Sequence, residues 1–234
     1  MSNLNIFNGF GIKPTNTHVS AGMDFYIPNV NIKNIEVYNR AIEAIVKSYK
    51  ISTEIYNSIF NEFCSRLSET IYVFNVIHLF LALDSTKYKK DLTSDEKIKN
   101  SIGSFIVYHL TFDKNNIPGI KLYCNDSILI NSGIKIALPH NTAGIFLNKS
   151  GMGNRGFDVR SQVIDEDYSG YVHLSLSYTK QHPDIIYCGD KITQLVIFPI
   201  FHLESNEINK NVYNDIMKNS KRGSDGFGSS DIKR

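Results

Sequence analysis

The spacing of apolar residues changes period along the chain, and that change limits the architectures open to it. Ile35, Tyr38, Ile42, Ile45 and Tyr49 step by three and four, and Tyr56, Ile59, Phe60, Phe63 and Leu67 form a similar stripe. Such steps line one side of an amphipathic helix. The run TIYVFNVIHLFLAL, residues 70–83, is apolar almost throughout and predicts a third, buried helix. It carries Asn75 and His78 and is too short to cross a bilayer. KYKKDLTSDEKIKN, which follows shortly after, reads as a solvated charged connection. From about residue 102 short strands take over: SFIVYHLTF, SILI, GIKIALP, AGIFL, YVHLSLSY and KITQLVIFPI. The last is nearly all apolar and predicts a strand covered on both sides. Residues 1–33, rich in Asn, Gly and Pro, read as strands and turns.

The order is therefore β, then helical, then β. A segment that packs on itself adds little closure cost when inserted in a loop, so one β domain with an inserted helical subdomain is favoured over two sequential domains. The expected division is a β domain from 1–33 and 102–234 and a helical subdomain at 34–101. The polar, glycine-rich end, about 203–234, reads as a flexible arm. A net charge of +2 on 234 residues gives no argument for a nucleic-acid surface, although a small anionic ligand needs only a local positive site. No membrane partner is expected. Three scattered cysteines and an amino terminus without a basic-then-apolar leader predict reduced thiols in the cytoplasm.

Five stretches carry candidate chemistry. In SQVIDEDYSGYVHLSLSY, three carboxylates, Asp165, Glu166 and Asp167, precede a strand whose faces alternate. The acidic turn is expected at the mouth of a β-hairpin, where mutual repulsion prepares a general base. NKSGMGNRG offers Lys149, Ser150 and Gly151 to phosphate oxygens from a glycine-rich loop. RGSDGFGSS sets Phe227 among Gly and Ser beside Arg222, a use of an aromatic that a plain linker lacks. SAGMDFYIP supplies Asp24 and CGDKITQL supplies Gln194, each unremarkable alone.

In order, AGMDFYIP, NKSGMG, VIDEDYSG, GDKITQL and RGSDGFGSS resemble the five motifs of the trimeric dUTPase family. The resemblance covers roughly 10–33 and 120–230 and omits the helical block. It implies a jelly-roll-like β fold, a homotrimer with sites at subunit interfaces, and hydrolysis of dUTP to dUMP and pyrophosphate with Mg2+ on the triphosphate. Carried onto this sequence, Asp165 would be the base that activates the water attacking the α-phosphorus. Tyr168 would pack under the deoxyribose, and the backbone from Asp165 to Tyr171 would read the uracil edge. Lys149, Ser150, Gly151 and Gln194 would hold phosphates, and Asp24 would meet Mg2+ through water. From a third subunit, Phe227 would stack on uracil while Arg222, Gly223, Ser224, Gly228 and Ser229 close on the triphosphate. Lys149 stands where the family has arginine, after Asn148 for proline; Gln162 and Asp225 replace glycines, and Lys191 replaces arginine. The alternatives are a dCTP deaminase or bifunctional enzyme of the same fold, or a regulatory protein whose helical block docks a partner. The expected location is the cytoplasm, or the host cytoplasm for a viral source.

Overall fold

Several of the helices begin where small polar residues cap them. In the computed structural model, which describes residues 4–16, 20–30, 33–67, 70–83, 92–160 and 163–220, α1 (Ile35–Tyr49) follows Asn34. The Asn34 side chain accepts a hydrogen bond from Val37 N at 3.2 Å, satisfying a first-turn amide. Helix α1 stops at Lys50, whose φ of 53° is left-handed. In α2 (Thr53–Arg66) the cap is Ser52, accepting from Ile55 N. Helix α3 (Val73–Ala82) has no side-chain cap and is preceded by a 3-10 turn at Thr70–Tyr72. All ten residues of α3 are buried.

A fourth helix, α4 (Asp95–Tyr108), occupies much of the stretch expected to be a solvated connection, and it consumes most of the expected strand SFIVYHLTF. The cause is local. Ser94 caps it, Asp95 and Glu96 lie in the first turn, and Ile98, Ile102 and Phe105 form a buried stripe. Only Leu110–Phe112 remains extended. Among the described residues, no helix is long and apolar enough to cross a membrane.

The strands are β1 (Asn5–Asn8), β2 (Met23–Tyr26), β3 (Leu110–Phe112), β4 (Pro118–Leu122), β5 (Ser127–Asn131) and β6 (Ile134–Ala137). After them come β7 (Thr142–Asn148), the short helix α5 (Ser150–Arg155), β8 (Phe157–Val159), β9 (Val163–Ile164), β10 (His173–Tyr178), β11 (Asp184–Tyr187) and β12 (Lys191–Pro199). They form sheets in the orders β1-β6, β5-β10-β8, β11-β4-β3 and β2-β12-β7-β9, with every described pairing antiparallel. Sheet neighbours that are distant in sequence are the crossovers of a jelly-roll-like β fold, as expected.

The alternation of β10 is borne out, with Leu174, Leu176 and Tyr178 buried and His173, Ser175 and Ser177 half-buried. Strand β12 differs from expectation. Ile192, Thr193 and Leu195 are buried, but Phe198 and Pro199 are exposed. Its outer face, with the neighbouring Leu147 of β7 and Val163 of β9, carries exposed apolar side chains among the described residues.

The helices share their core with the strands. Phe10 meets Phe74 and His78 edge-on at 6.1 and 6.0 Å, and Tyr49 Oη donates to Leu129 O at 3.0 Å. Buried Asn75 accepts from Val30 N at 2.9 Å and donates to Val30 O at 3.2 Å and to Asn29 Oδ1 at 3.0 Å. Asn75→Ala would strip partners from a buried backbone pair. It is expected to cost about 2–3 kcal/mol, read as a lower denaturant midpoint at unchanged slope.

By its contacts the chain divides into residues 1–200 and 201–234. The described part of the second unit contains α6 (Lys210–Met217), capped by the Asn209 side chain, which accepts from Asn211 N and Val212 N.

Candidate active site

Asp24 lies in β2, which pairs with β12 so that Gln194 is level with Asp24 and Lys191 with Tyr26. On its other side β12 pairs with β7, setting Thr193 opposite Asn148, after which the chain turns through Lys149 into α5. Sheet register thus gathers Asp24, Lys149, Gln194 and Lys191 at one end. Lys149 Nζ donates to Asp24 Oδ1, and Lys191 Nζ lies 3.1 Å from Asp24 Oδ2. Burial alone would raise the Asp24 carboxyl, but the two ammonium groups outweigh it and hold the carboxyl below its ordinary value.

Gln194 Nε2 donates to Asn148 O at 3.0 Å, and Gln194 Oε1 lies where a side chain on Gly22 would collide with it, 2.6 Å from an ideal Cβ. Ser150 and Gly151 open α5 instead of forming the expected loop. Their amides precede its first backbone bond, from Gly153 N to Lys149 O, and space is open beside Gly151. Arg155, at the far end of α5, forks onto Asp184 at 2.9 and 3.0 Å and fixes the helix against β11.

The acidic turn is not the mouth of a hairpin. Val163 and Ile164 pair with β7, whereas β10 pairs with β5 and β8, so the turn links strands of two different sheets. Within it, Tyr168 N donates to Asp165 O at 3.1 Å. Glu166 is spent on structure: it accepts from Asn141 N at 2.8 Å and lies 2.5 Å from His140 Nδ1. Tyr168 Oη donates to Tyr171 O at 2.7 Å, and the phenol is pushed up by burial. Its ring passes so close to Gly170 that an added Cβ would come within 2.6 Å of the hydroxyl. A cavity of about 470 Å³ opens beside Tyr168, bounded by β1, β6 and the turn.

These two groups stand apart within one chain. Ile164 is level with Gly144, so Asp165 falls near Ala143, while Lys149 lies at the other end of the same strand. Six residues of extended chain separate those levels, on the order of 20 Å at strand rise. Gln162, Arg222, Gly223, Ser224, Asp225, Phe227, Gly228 and Ser229 lie outside the described residues.

Sequence reasoning missed three contributors. In sequence Glu166 is one of three adjacent acids, and its partners lie 25 and 26 residues away. Asn148, read as a departure, accepts from Val159 N at 2.9 Å and donates to Asp158 at 3.0 Å, bonds that proline could not make. Lys191 was noted only as a replacement for arginine. Among the described residues, no cluster of three His, Cys, Asp or Glu could by itself hold a metal ion.

The dUTPase family model matches residues 104–231, just over half of the chain. The deoxyuridine 5'-triphosphate nucleotidohydrolase of Variola virus is 30% identical over 105 residues, spanning 45% of this chain and 67% of the relative. That of Paramecium bursaria Chlorella virus 1 is 30% identical over 122 residues, spanning 52% and 82%. A dUTPase of Staphylococcus bacteriophage 80alpha, solved with dUPNHPP, matches with a TM-score of 0.50 at 12% identity, over 99% of this chain and 100% of that one. At that identity the likeness concerns the fold alone.

Proposed function

The chain belongs to the dUTPase family, and on that premise we propose that it hydrolyses dUTP to dUMP and pyrophosphate at sites built between copies of itself. The observation that carries the shared site is the separation along β7. The acidic turn and the lysine cluster stand at opposite ends of β7, which supports a reading in which each completes a neighbour's site.

Asp165 takes the proton of the water that attacks the α-phosphorus. Tyr168, pinned over Gly170, packs under the deoxyribose, and the cavity beside it is the space for sugar and base. Lys149, Ser150, Gly151 and Gln194 hold phosphate oxygens. The arm, with Arg222, Gly223, Ser224, Phe227, Gly228 and Ser229, closes from a third copy and excludes water.

Among the described residues the donor set offers no protein cage for a metal but suits a hydrated Mg2+ brought on the triphosphate, with Asp24 meeting its waters. Such an ion supplies charge neutralisation, and the side chains supply position. The apolar outer face of β7, β9 and β12 is the surface a homotrimer would cover. The helical block is read as an insertion in this β unit, and the cytoplasm as the place of action.

Complementation between two inactive variants tests the reading. Wild type is expected to cleave dUTP and leave UTP and dTTP nearly untouched. Asp165→Asn and Lys149→Ala should each be nearly inactive at low dUTP. Mixed and allowed to exchange subunits, they should recover about a quarter of wild-type activity, since intact halves then meet at random. A mixture no more active than its components would mean that each protomer holds a complete site.

A further inference from the structure

We propose that Lys191 is a second polyphosphate-binding cation, and that in the free protein Asp24 pairs with Lys149 and Lys191, a pairing that phosphate displaces, instead of holding a metal. The inference rests on the reading that this end of the β2-β12 pair receives the triphosphate.

The first argument is backbone geometry. In regular strands residues 191 and 194 would face opposite sides, because side chains alternate. The β2-β12 register shifts between Lys191 and Thr193, so that Lys191 is level with Tyr26 and Gln194 with Asp24. Tyr26 and Asp24 are two apart on β2 and share a face. The irregularity therefore turns Lys191 onto the side of Gln194 and Asp24, a use of bulges known near functional sites. The Lys191 ammonium then lies over the Tyr26 ring at 5.6 Å, and that ring is tethered through its hydroxyl, 2.5 Å from Thr15 Oγ1.

Charge gives the second argument. Two ammonium groups on one carboxylate leave the cluster one unit positive (two minus one), which repels an approaching dication and attracts an anion. Lys191 is half exposed and Lys149 about a quarter exposed, so both can trade a carboxylate oxygen for a phosphate oxygen without moving far. That exchange uncovers Asp24 only once the triphosphate is in place. Phosphate binding therefore comes first, and Asp24 meets the hydrated metal afterwards.

Calorimetry on the full-length protein tests this with inorganic pyrophosphate in metal-free buffer and with MgCl2 alone. Wild type should bind pyrophosphate, progressively more weakly as salt rises, and show no binding of Mg2+ alone at Asp24. Lys191→Met should weaken pyrophosphate binding about tenfold. Asp24→Asn should tighten it several-fold, because the cluster becomes one unit more positive; a simple metal ligand predicts no such gain. Melting curves confirm that both variants remain folded. Unchanged pyrophosphate affinity in Lys191→Met, weaker binding in Asp24→Asn, or Mg2+ binding to wild type that Asp24→Asn abolishes would each overturn the proposal. Turnover of dUTP by the same wild-type sample separates the two failures. An active enzyme with an indifferent Lys191 sinks this inference alone, and an inactive one sinks the functional reading beneath it.

Discussion

Asp165→Asn is expected to lower dUTP turnover by about a hundredfold to ten-thousandfold while leaving nucleotide binding within a fewfold of wild type. The magnitude is the span over which a positioned general base accelerates proton transfer. Asparagine keeps the shape and the turn but cannot accept the proton of the attacking water. Glu166 makes the substitution clean. Its carboxylate ties the acidic turn to Asn141 N and His140, so the backbone is held whether or not residue 165 carries charge. The Tyr168 N–H also bonds to the Asp165 backbone carbonyl, which the substitution leaves in place. Rapid-quench single turnovers, with binding followed separately by a non-hydrolysable analogue, distinguish lost chemistry from lost affinity. Turnover comparable to wild type would remove Asp165 from the mechanism and reopen the choice among the acidic residues.

Most of the fold could be read because apolar periodicity reports directly which face is buried. The stripes of α2 and the near-continuous apolar run of α3 appear where spacing places them. In α1 the stripe is shifted slightly: Ala41, Ala44, Ile45 and Tyr49 are buried, and Ile35 lies exposed at the first turn.

Period alone does not name a strand's neighbour. Alternation identified β10 as a strand, but the pairing of Val163 and Ile164 with β7 comes from contacts distant in sequence, so the hairpin did not follow. Helix α4 was obscured because its acidic start resembles a solvated loop, although Ser94 and the Ile98, Ile102 and Phe105 stripe together carry a helix signal. Lys191 was hidden by the same rule that found the strands. Strict alternation sends it away from Gln194, and only the irregularity in β12 brings them together. The exposed Phe198 reflects a different limit. An apolar strand end reads as covered, but the sequence does not say whether its cover comes from the same chain or from another copy.

Excising residues 35–108 should abolish folding of the remaining chain, not merely detach a module. Val73, Phe74, Val76, Ile77, Leu79, Phe80 and Leu81 of α3 are each at most 1% exposed. At about 1.5–3 kcal/mol for each buried side chain, their removal forfeits on the order of 10 kcal/mol or more, comparable to the whole stability of a typical domain. The loss would not stay within the helices. Phe10 packs against Phe74 and His78, Leu83 bridges to Ile128, and Ser48 and Tyr49 bond to Asn131 and Leu129 on β5. Without the helices, the backbone of Val30 would lose the partners that Asn75 now supplies. A segment placed in a loop costs little closure entropy, but a core shared with the strands makes them dependent on it. The expected product is insoluble or binds hydrophobic dye without a cooperative melt. A soluble, cooperatively melting remainder that still cleaves dUTP would show that the strands bury enough by themselves, and would leave the helices free for a separate task.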